Sequence, residues 1–252
     1  MIVLFTDFGL DGPYIGQMKV EILKIAPAVP VIDLFADLAP FDPRSAAYVI
    51  PAYTASFPEG TVFLCIVDPG VGGPRRPLVQ RSRGHWFVGP DNGLFDVEAG
   101  RDAATRRWEI AWRPTVLSAS FHGRDLFAPV AARLAMGDAP EVIGCNPIDD
   151  APQAVPPDLP RIVYMDRFGN AVTGIRASTM SPTAELSIRG FKVPRANTFS
   201  DVEEGMPFWY ENANGLVEIA VNRGYADEEL QIEVGDPFVL HLPRRRRKPK
   251  SP

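Results

Sequence analysis

Three short apolar runs separated by two helical patterns constrain this chain most. Ile2–Phe5, Val29–Leu34 and the run from Thr61 into Asp68 are too short and too continuously apolar for helices. Between the first two, Asp11-Gly12-Pro13 opens a helix, with Pro13 as a first-turn residue. Ile15, Met18, Ile22 and Ile25 then recur at helical spacing until Pro27. Between the second and third, Leu38–Pro43 reads as a loop and Arg44–Phe57 as a helix kinked or broken at Pro51. A β-α-β-α-β succession predicts an α/β domain with a mostly parallel central sheet and helices packed on it.

The third run leads into a loop of unusual composition, TVFLCIVDPGVGGPRR at Thr61–Arg76. Asp68 stands where the strand stops, and Pro69, Gly70, Gly72 and Gly73 bar regular continuation. Chemistry in open α/β sheets collects at the carboxyl ends of strands. Asp68, seven residues before Arg75, is therefore a candidate site residue, the bland alternative being an Asp-Pro turn with a surface ion pair. No Gly-Lys-Ser/Thr follows, so this is not a phosphate-binding P-loop. The glycine spacing and the crowding by Pro74 and Pro77 also exclude a dinucleotide fingerprint.

Beyond the loop, Leu78–Gln80 and His85–Val88 read as short strands and Pro90-Asp91-Asn92-Gly93 as a turn. Ser120–Phe127 precedes a helix ending near Met136. A proline-rich stretch follows, and the texture then changes. Arg161–Met165, Ala171–Ile175, Glu185–Phe191, Leu216–Val221, Glu229–Val234 and Pro237–Leu242 are β-rich runs separated by Gly, Asn and Asp, with no convincing helix. The expected organisation is an α/β domain over 1–145, a linker over 146–160, a smaller antiparallel β-barrel or sandwich over 161–243, and a disordered basic tail over 244–252.

Composition narrows the function classes. The 252 residues are 46% apolar and 23% charged, ordinary for a globular protein, and no run approaches the ~20 apolar residues that span a bilayer. The first residues lack a basic n-region and read as a strand, not a signal peptide. Cys65 and Cys145 form no C-x-x-C pair, which fits a reduced, cytoplasmic setting. His85, His122 and His241 are not spaced as metal ligands, so no metal is expected. Net charge is −5, and the tail Arg244–Lys250 holds six of the 26 basic residues, leaving 20 against 31 acidic ones in the body. That balance argues against nucleic acid as a substrate.

Four polar clusters stand at element ends: Thr6-Asp7-Phe8-Gly9, Asp68 with Arg75, Phe121-His122-Gly123-Arg124-Asp125, and Asp166-Arg167-Phe168-Gly169-Asn170. Each joins an Asp or His to groups suited to a planar ligand whose hydroxyls are gripped by carboxylates. Asp7 alternatively caps a turn, His122 is a satisfied loop histidine, and Arg124 and Asp125 simply pair.

TDFGLDGPYIGQMK, DPGVGGPRR, PDNG, FHGRD, DRFGN and EIAVN occur in this order over residues 1 to 240. In these motifs the chain resembles the S-adenosyl-L-methionine (SAM) hydroxide adenosyltransferases, or SAM hydrolases, relatives of fluorinase and chlorinase. The resemblance implies an N-terminal α/β domain, a C-terminal β-barrel and a homotrimer whose sites lie between the N-domain of one subunit and the C-domain of the next. It implies attack of water or hydroxide at the ribose 5′ carbon, giving adenosine and methionine, with SAM as substrate and no cofactor. Carried over motif by motif, the catalytic set is Asp68, Arg75 and His122. Asp68 would orient the water, Arg75 would keep that carboxylate ionised, and His122 would complete the hydrogen-bond cage. Asp7 would hold the ribose diol and Phe41 would lie against the adenosine. Asp166 and Asn170 would take the methionine ends, and Phe168 would stack near adenine. Asn214, Glu218 and the Val221–Arg223 backbone would contact base or amino acid, with Phe8, Asp11 and Phe121 as wall residues.

Two rivals share the substrate. A halide adenosyltransferase is disfavoured, because Asp68 would repel an anionic nucleophile and the halogenating relatives lack a histidine at the place of His122. A SAM- or adenosine-binding protein without turnover would share the ligand residues. An RNA-associated role through the basic tail is the third alternative.

Overall fold

The computed structural model describes residues 1–241. The chain divides into two compact units, Met1–Pro157 and Asp158 onward.

Unit 1 is built on a seven-stranded sheet. Its strands are β1 (Ile2–Thr6), β2 (Val31–Phe35), β3 (Val62–Ile66), β4 (Pro77–Ser82), β5 (His85–Pro90), β6 (Arg106–Ile110) and β7 (Cys145–Ile148), in the order β2-β1-β3-β5-β4-β6-β7. The first three expected strands lie parallel, and β5 joins β3 in parallel. The other half is antiparallel, so the sheet is mixed, not mostly parallel. The reversal comes from a two-residue turn at Arg83-Gly84, whose φ values of 46° and 80° are those of a tight hairpin. β6 was not anticipated, because its RRWEI sequence does not alternate cleanly. β7 takes Asn146–Ile148 of the proline-rich stretch into the sheet against β6.

The helices of unit 1 are α1 (Tyr14–Ile25), α2 (Pro43–Tyr53), α3 (Asp96–Ala99), α4 (Ala128–Ala135) and α5 (Pro140–Ile143). In α1, Ile15, Met18 and Ile22 are buried, whereas Ile25 turns outward. Asp42 caps α2: its Oδ1 accepts the Ser45 amide at 3.0 Å and its Oδ2 the Ser45 hydroxyl at 2.6 Å. Pro51 falls in the last turn and the helix stops at Tyr53, short of the expected Phe57. One sheet face packs Ile2, Leu4 and Leu64 against Met18, Ile22 and Phe127. On the other, Phe63 contacts Phe5, Phe57 and Phe87 at ring separations of 5.3–6.0 Å.

Unit 2 holds β8 (Leu159–Met165), β9 (Ala171–Arg176), β10 (Glu185–Ile188), β11 (Phe191–Val193), β12 (Pro207–Glu211), β13 (Leu216–Val221) and β14 (Val239–His241). They form two antiparallel sheets, β12-β13-β9-β8 and β11-β10-β14. The run Glu185–Phe191 is not one strand, because Arg189-Gly190 (φ 47° and 87°) folds it into the β10–β11 hairpin. Glu229–Val234 is not a strand either. It follows a helical turn, α6 (Ala226–Glu229), and Gln231 sits at φ 52°. Its apolar Leu230 and Ile232 are buried without joining a ladder. β12 was missed. The basic tail and Leu242 lie outside the described residues. Among the described residues no helix is long and apolar enough to cross a membrane, and no group of His, Cys, Asp and Glu is placed to hold a metal ion.

Candidate active site

The parallel strands β1 and β3 deliver Asp7 and Asp68 to the same edge of the sheet, since Thr6 pairs with Ile66 at the end of their ladder. After Val67 the chain leaves the sheet and turns twice, with Val71 N–H on Asp68 O at 3.2 Å and Gly73 N–H on Gly70 O at 2.9 Å. Gly72 has φ 77°, and a Cβ there would lie 2.5 Å from the Ala119 carbonyl oxygen. This close approach, available only to glycine, sets the loop against the segment that leads to His122.

Arg75 folds back on Asp68. Its Nε donates to Asp68 Oδ1 at 3.1 Å and Oδ2 at 3.0 Å, and its Nη2 also donates to Oδ2. The two side chains are 10% and 6% exposed, so water screens this pair little. The same Nη2 lies 2.9 Å from His122 Nδ1. A guanidinium only donates, so Nδ1 is the acceptor and the imidazole proton sits on Nε2. Burial, and then the Arg75 charge, push the His122 pKa below its ordinary 6.5, which keeps the ring neutral. The Arg75 guanidinium also stands 5.3 Å from the Phe127 ring centroid. Arg76 points elsewhere, to Asp91 and Asp150. Arg124 pairs with its neighbour Asp125, whose Oδ2 also accepts the Ser118 amide at 2.8 Å.

His122 precedes a π-helical turn, Gly123–Phe127, which runs into α4. Such wide turns are frequent at functional sites.

Asp7, Phe8, Phe41, Asp68, Phe121 and His122 all line one cavity of about 360 Å³. Tyr14 and Ser120 line it too, although sequence reasoning did not single them out. Tyr14 lay inside the quoted TDFGLDGPYIGQMK motif, which was the available signal. Its ring meets Phe121 edge-on at 5.3 Å. Asp7 Oδ2 accepts the Phe41 amide at 3.1 Å and holds Phe41 at φ 62°, a left-handed backbone unusual for an aromatic residue. Burial raises the Asp7 pKa, the Phe41 bond opposing it. Asp11 is exposed and not part of this lining.

In unit 2, Phe168, Asn170, Val221 and Arg223 line a second cavity, of about 430 Å³, together with Phe199, Gly224 and Tyr225. Phe199 and Tyr225 carried no motif that separated them from other aromatics. Asp166, Glu218 and Asn214 are not in that lining. Asp166 Oδ1 accepts the Phe168 and Asn170 amides, each at 2.8 Å, and its Oδ2 the Asn170 side chain at 3.0 Å. It closes the turn that presents Phe168. Glu218 is buried between the Tyr210 hydroxyl and the Asn212 amide, and burial raises its pKa. The Asn214 amide closes a turn on Asn212 Oδ1 at 2.9 Å.

Family models for the SAM hydroxide adenosyltransferase N-terminal and C-terminal domains match residues 2–144 and 160–239. An (R)-S-adenosyl-L-methionine hydrolase of Thermus thermophilus is 38% identical over 95% of this chain and 98% of its own. A fluorinase of Nocardia brasiliensis is 24% identical over 88% and 90%. The crystal structure of an uncharacterised conserved protein from Thermotoga maritima superposes with a TM-score of 0.84 at 33% identity, covering 95% of this chain and 99% of that one.

Proposed function

The chain belongs to the SAM hydroxide adenosyltransferase family, and we propose that it hydrolyses SAM to adenosine and L-methionine. The observation that carries the reading is the Asp68–Arg75–His122 cluster, in which Asp68 and His122 line the cavity and Arg75, outside the lining, bridges them. The sulfonium leaves as a neutral thioether, so the reaction needs neither a general acid nor a cofactor at the leaving group. Its difficulty is the weak nucleophile, which must be held in line with the C5′–S bond.

The cluster suits that task. A carboxylate has about four acceptor sites; Arg75 directs two N–H groups onto Asp68, Nε–H shared between both oxygens and Nη2–H on Oδ2, which leaves an acceptor site open on Oδ1. Water donates to that site and accepts from His122 Nε2–H, and its remaining lone pair faces C5′. The water oxygen bonds to C5′, the C5′–S pair returns to sulfur, and the proton leaves by way of Asp68. The carboxylate of Asp68 repels an approaching halide and polarises water. Asp7 takes the ribose hydroxyls, and Phe8, Phe41 and Phe121 wall the adenosine.

Asn170 and Arg223 of the unit 2 cavity take the methionine end as polar contacts, and Phe168 stacks near adenine. Asp166, Asn214 and Glu218 hold the turns behind them. In the homotrimer that the family implies, that cavity belongs to a neighbouring copy. The two sheets of unit 2 are read as one small barrel, supported by a shared core that includes Ile175, Leu186, Trp209 and Val217. The Thermus relative's name specifies the (R) sulfonium, and the same epimer is assigned to this chain.

The test is chromatography of purified protein with each SAM epimer, with and without chloride or fluoride, repeated with Asp68→Ala. Adenosine and methionine from the (R) epimer, with a loss of tenfold or more in the variant, support the reading. Binding without release of adenosine favours a SAM-binding protein, and a halide-dependent 5′-halo product overturns the role given to Asp68.

A further inference from the structure

The catalytic loop leaves the sheet after Val67 and returns at Arg76. Both points lie beyond regular ladder bonding. The β3–β5 ladder ends at Leu64–Val88, and the β4–β5 ladder begins at Pro77–Pro90. One dipeptide reaches both. The Asn92 side-chain amide donates to the Val67 carbonyl at 2.9 Å, standing in for a strand donor one residue before Asp68. The Asp91 amide donates to the Arg76 carbonyl at 2.9 Å, and Arg76 Nε donates to Asp91 Oδ2 at 3.0 Å, one residue after Arg75. Asp91 is itself fixed by Arg107 of β6, whose side chain is only 6% exposed. Asn92 Oδ1 is buried with no partner among the described residues, a cost that the amide donor must justify.

We propose that the Asp91-Asn92 turn is a positioning device that clamps both ends of the loop and so sets Asp68 and Arg75 against His122. It rests on the reading of that loop as catalytic. Neither residue lines the SAM-facing cavity, so neither touches substrate. The clamp matters because in-line attack is sensitive to displacement: a shift of ~1 Å can cost ~100-fold in rate.

The test compares wild type with Asn92→Asp, which keeps the shape but cannot donate to Val67, and with Asn92→Ala. Two readouts are taken: the kcat and KM for SAM, and the NMR titration midpoint of the His122 ring. Assignment is simple with three histidines. The charges acting on His122 are Arg75 and Arg113, which lower its midpoint, and Asp68 and Asp125, which raise it. A slack loop carries Arg75 and Asp68 away together, and because Arg75 acts on the ring more strongly than Asp68, the midpoint rises. The expected result is that rise in both variants, with kcat down about tenfold and KM within about twofold. A His122 midpoint that stays in place in both folded variants overturns the clamp, whatever the rate does. Failure of wild type to release adenosine would instead overturn the hydrolase reading, and the His122 titration would still decide the clamp.

Discussion

Arg75 does two jobs with one guanidinium, holding Asp68 and donating to His122 Nδ1. A lysine keeps the charge but not the planar fork. Arg75→Lys is therefore expected to lose about ten- to hundredfold in kcat while SAM binding changes little, read by steady-state kinetics beside adenosine calorimetry. The state of His122 sets the pH response. Its pKa is depressed below 6.5 by burial and then by Arg75, so the neutral ring persists through neutral pH. The acid limb of kcat/KM should fall below pH 6.5, and Arg75→Lys should not raise it as far as Arg75→Ala. The stability sign follows. Below pH 6.5 the unfolded chain gains a proton that native His122 refuses, so this contribution fades as pH falls toward the native pKa. At this scale the Asp68–Arg75–His122 contacts were legible, because the family resemblance carried those three residues over as a set. Asp166 and Glu218 were read as open ligands. What sequence did not reveal is that their oxygens are spent on local turns and on Tyr210 and Asn212.

At the scale of elements, Gly72 seats the loop against the segment that leads to His122. A methyl there meets the Ala119 carbonyl in a left-handed backbone. Gly72→Ala should destabilise by ~1–3 kcal/mol in urea unfolding and lower kcat by tenfold or more, because the loop must move away from the His122 segment. If kcat survives, the two segments are not coupled as described. The strands that sequence revealed were those with continuous apolar runs. β6 was hidden because its outward positions carry arginine, Glu109 and little alternation. Glu229–Val234 misled because Leu230 and Ile232 alternate like a strand yet bury themselves beside a helical turn. The antiparallel half of the sheet begins at one dipeptide, Arg83-Gly84, whose left-handed φ values no periodicity announces.

For the molecule as a whole, most of the predicted site residues line two cavities, one in each unit, whereas Arg75, Asp11, Asp166, Asn214 and Glu218 line neither. The change of texture that suggested two domains was visible in the sequence, and the chain does divide into two compact units. Deletion of residues 244–252 should leave SAM turnover within about twofold at low salt, where any electrostatic role would be largest. A large loss would give the basic tail a part in catalysis. The two cysteines carry a different consequence. Cys65 lies in the central strand β3 and Cys145 in the edge strand β7, and both are buried. Burial raises both thiol pKa values, that of Cys145 to about 11. Alkylation therefore has to wait for the structure to open, and each thiol is a clock for a different opening. Mass spectrometry should find Cys145 modified first, at the pace of edge fraying, and Cys65 only at the pace of global unfolding.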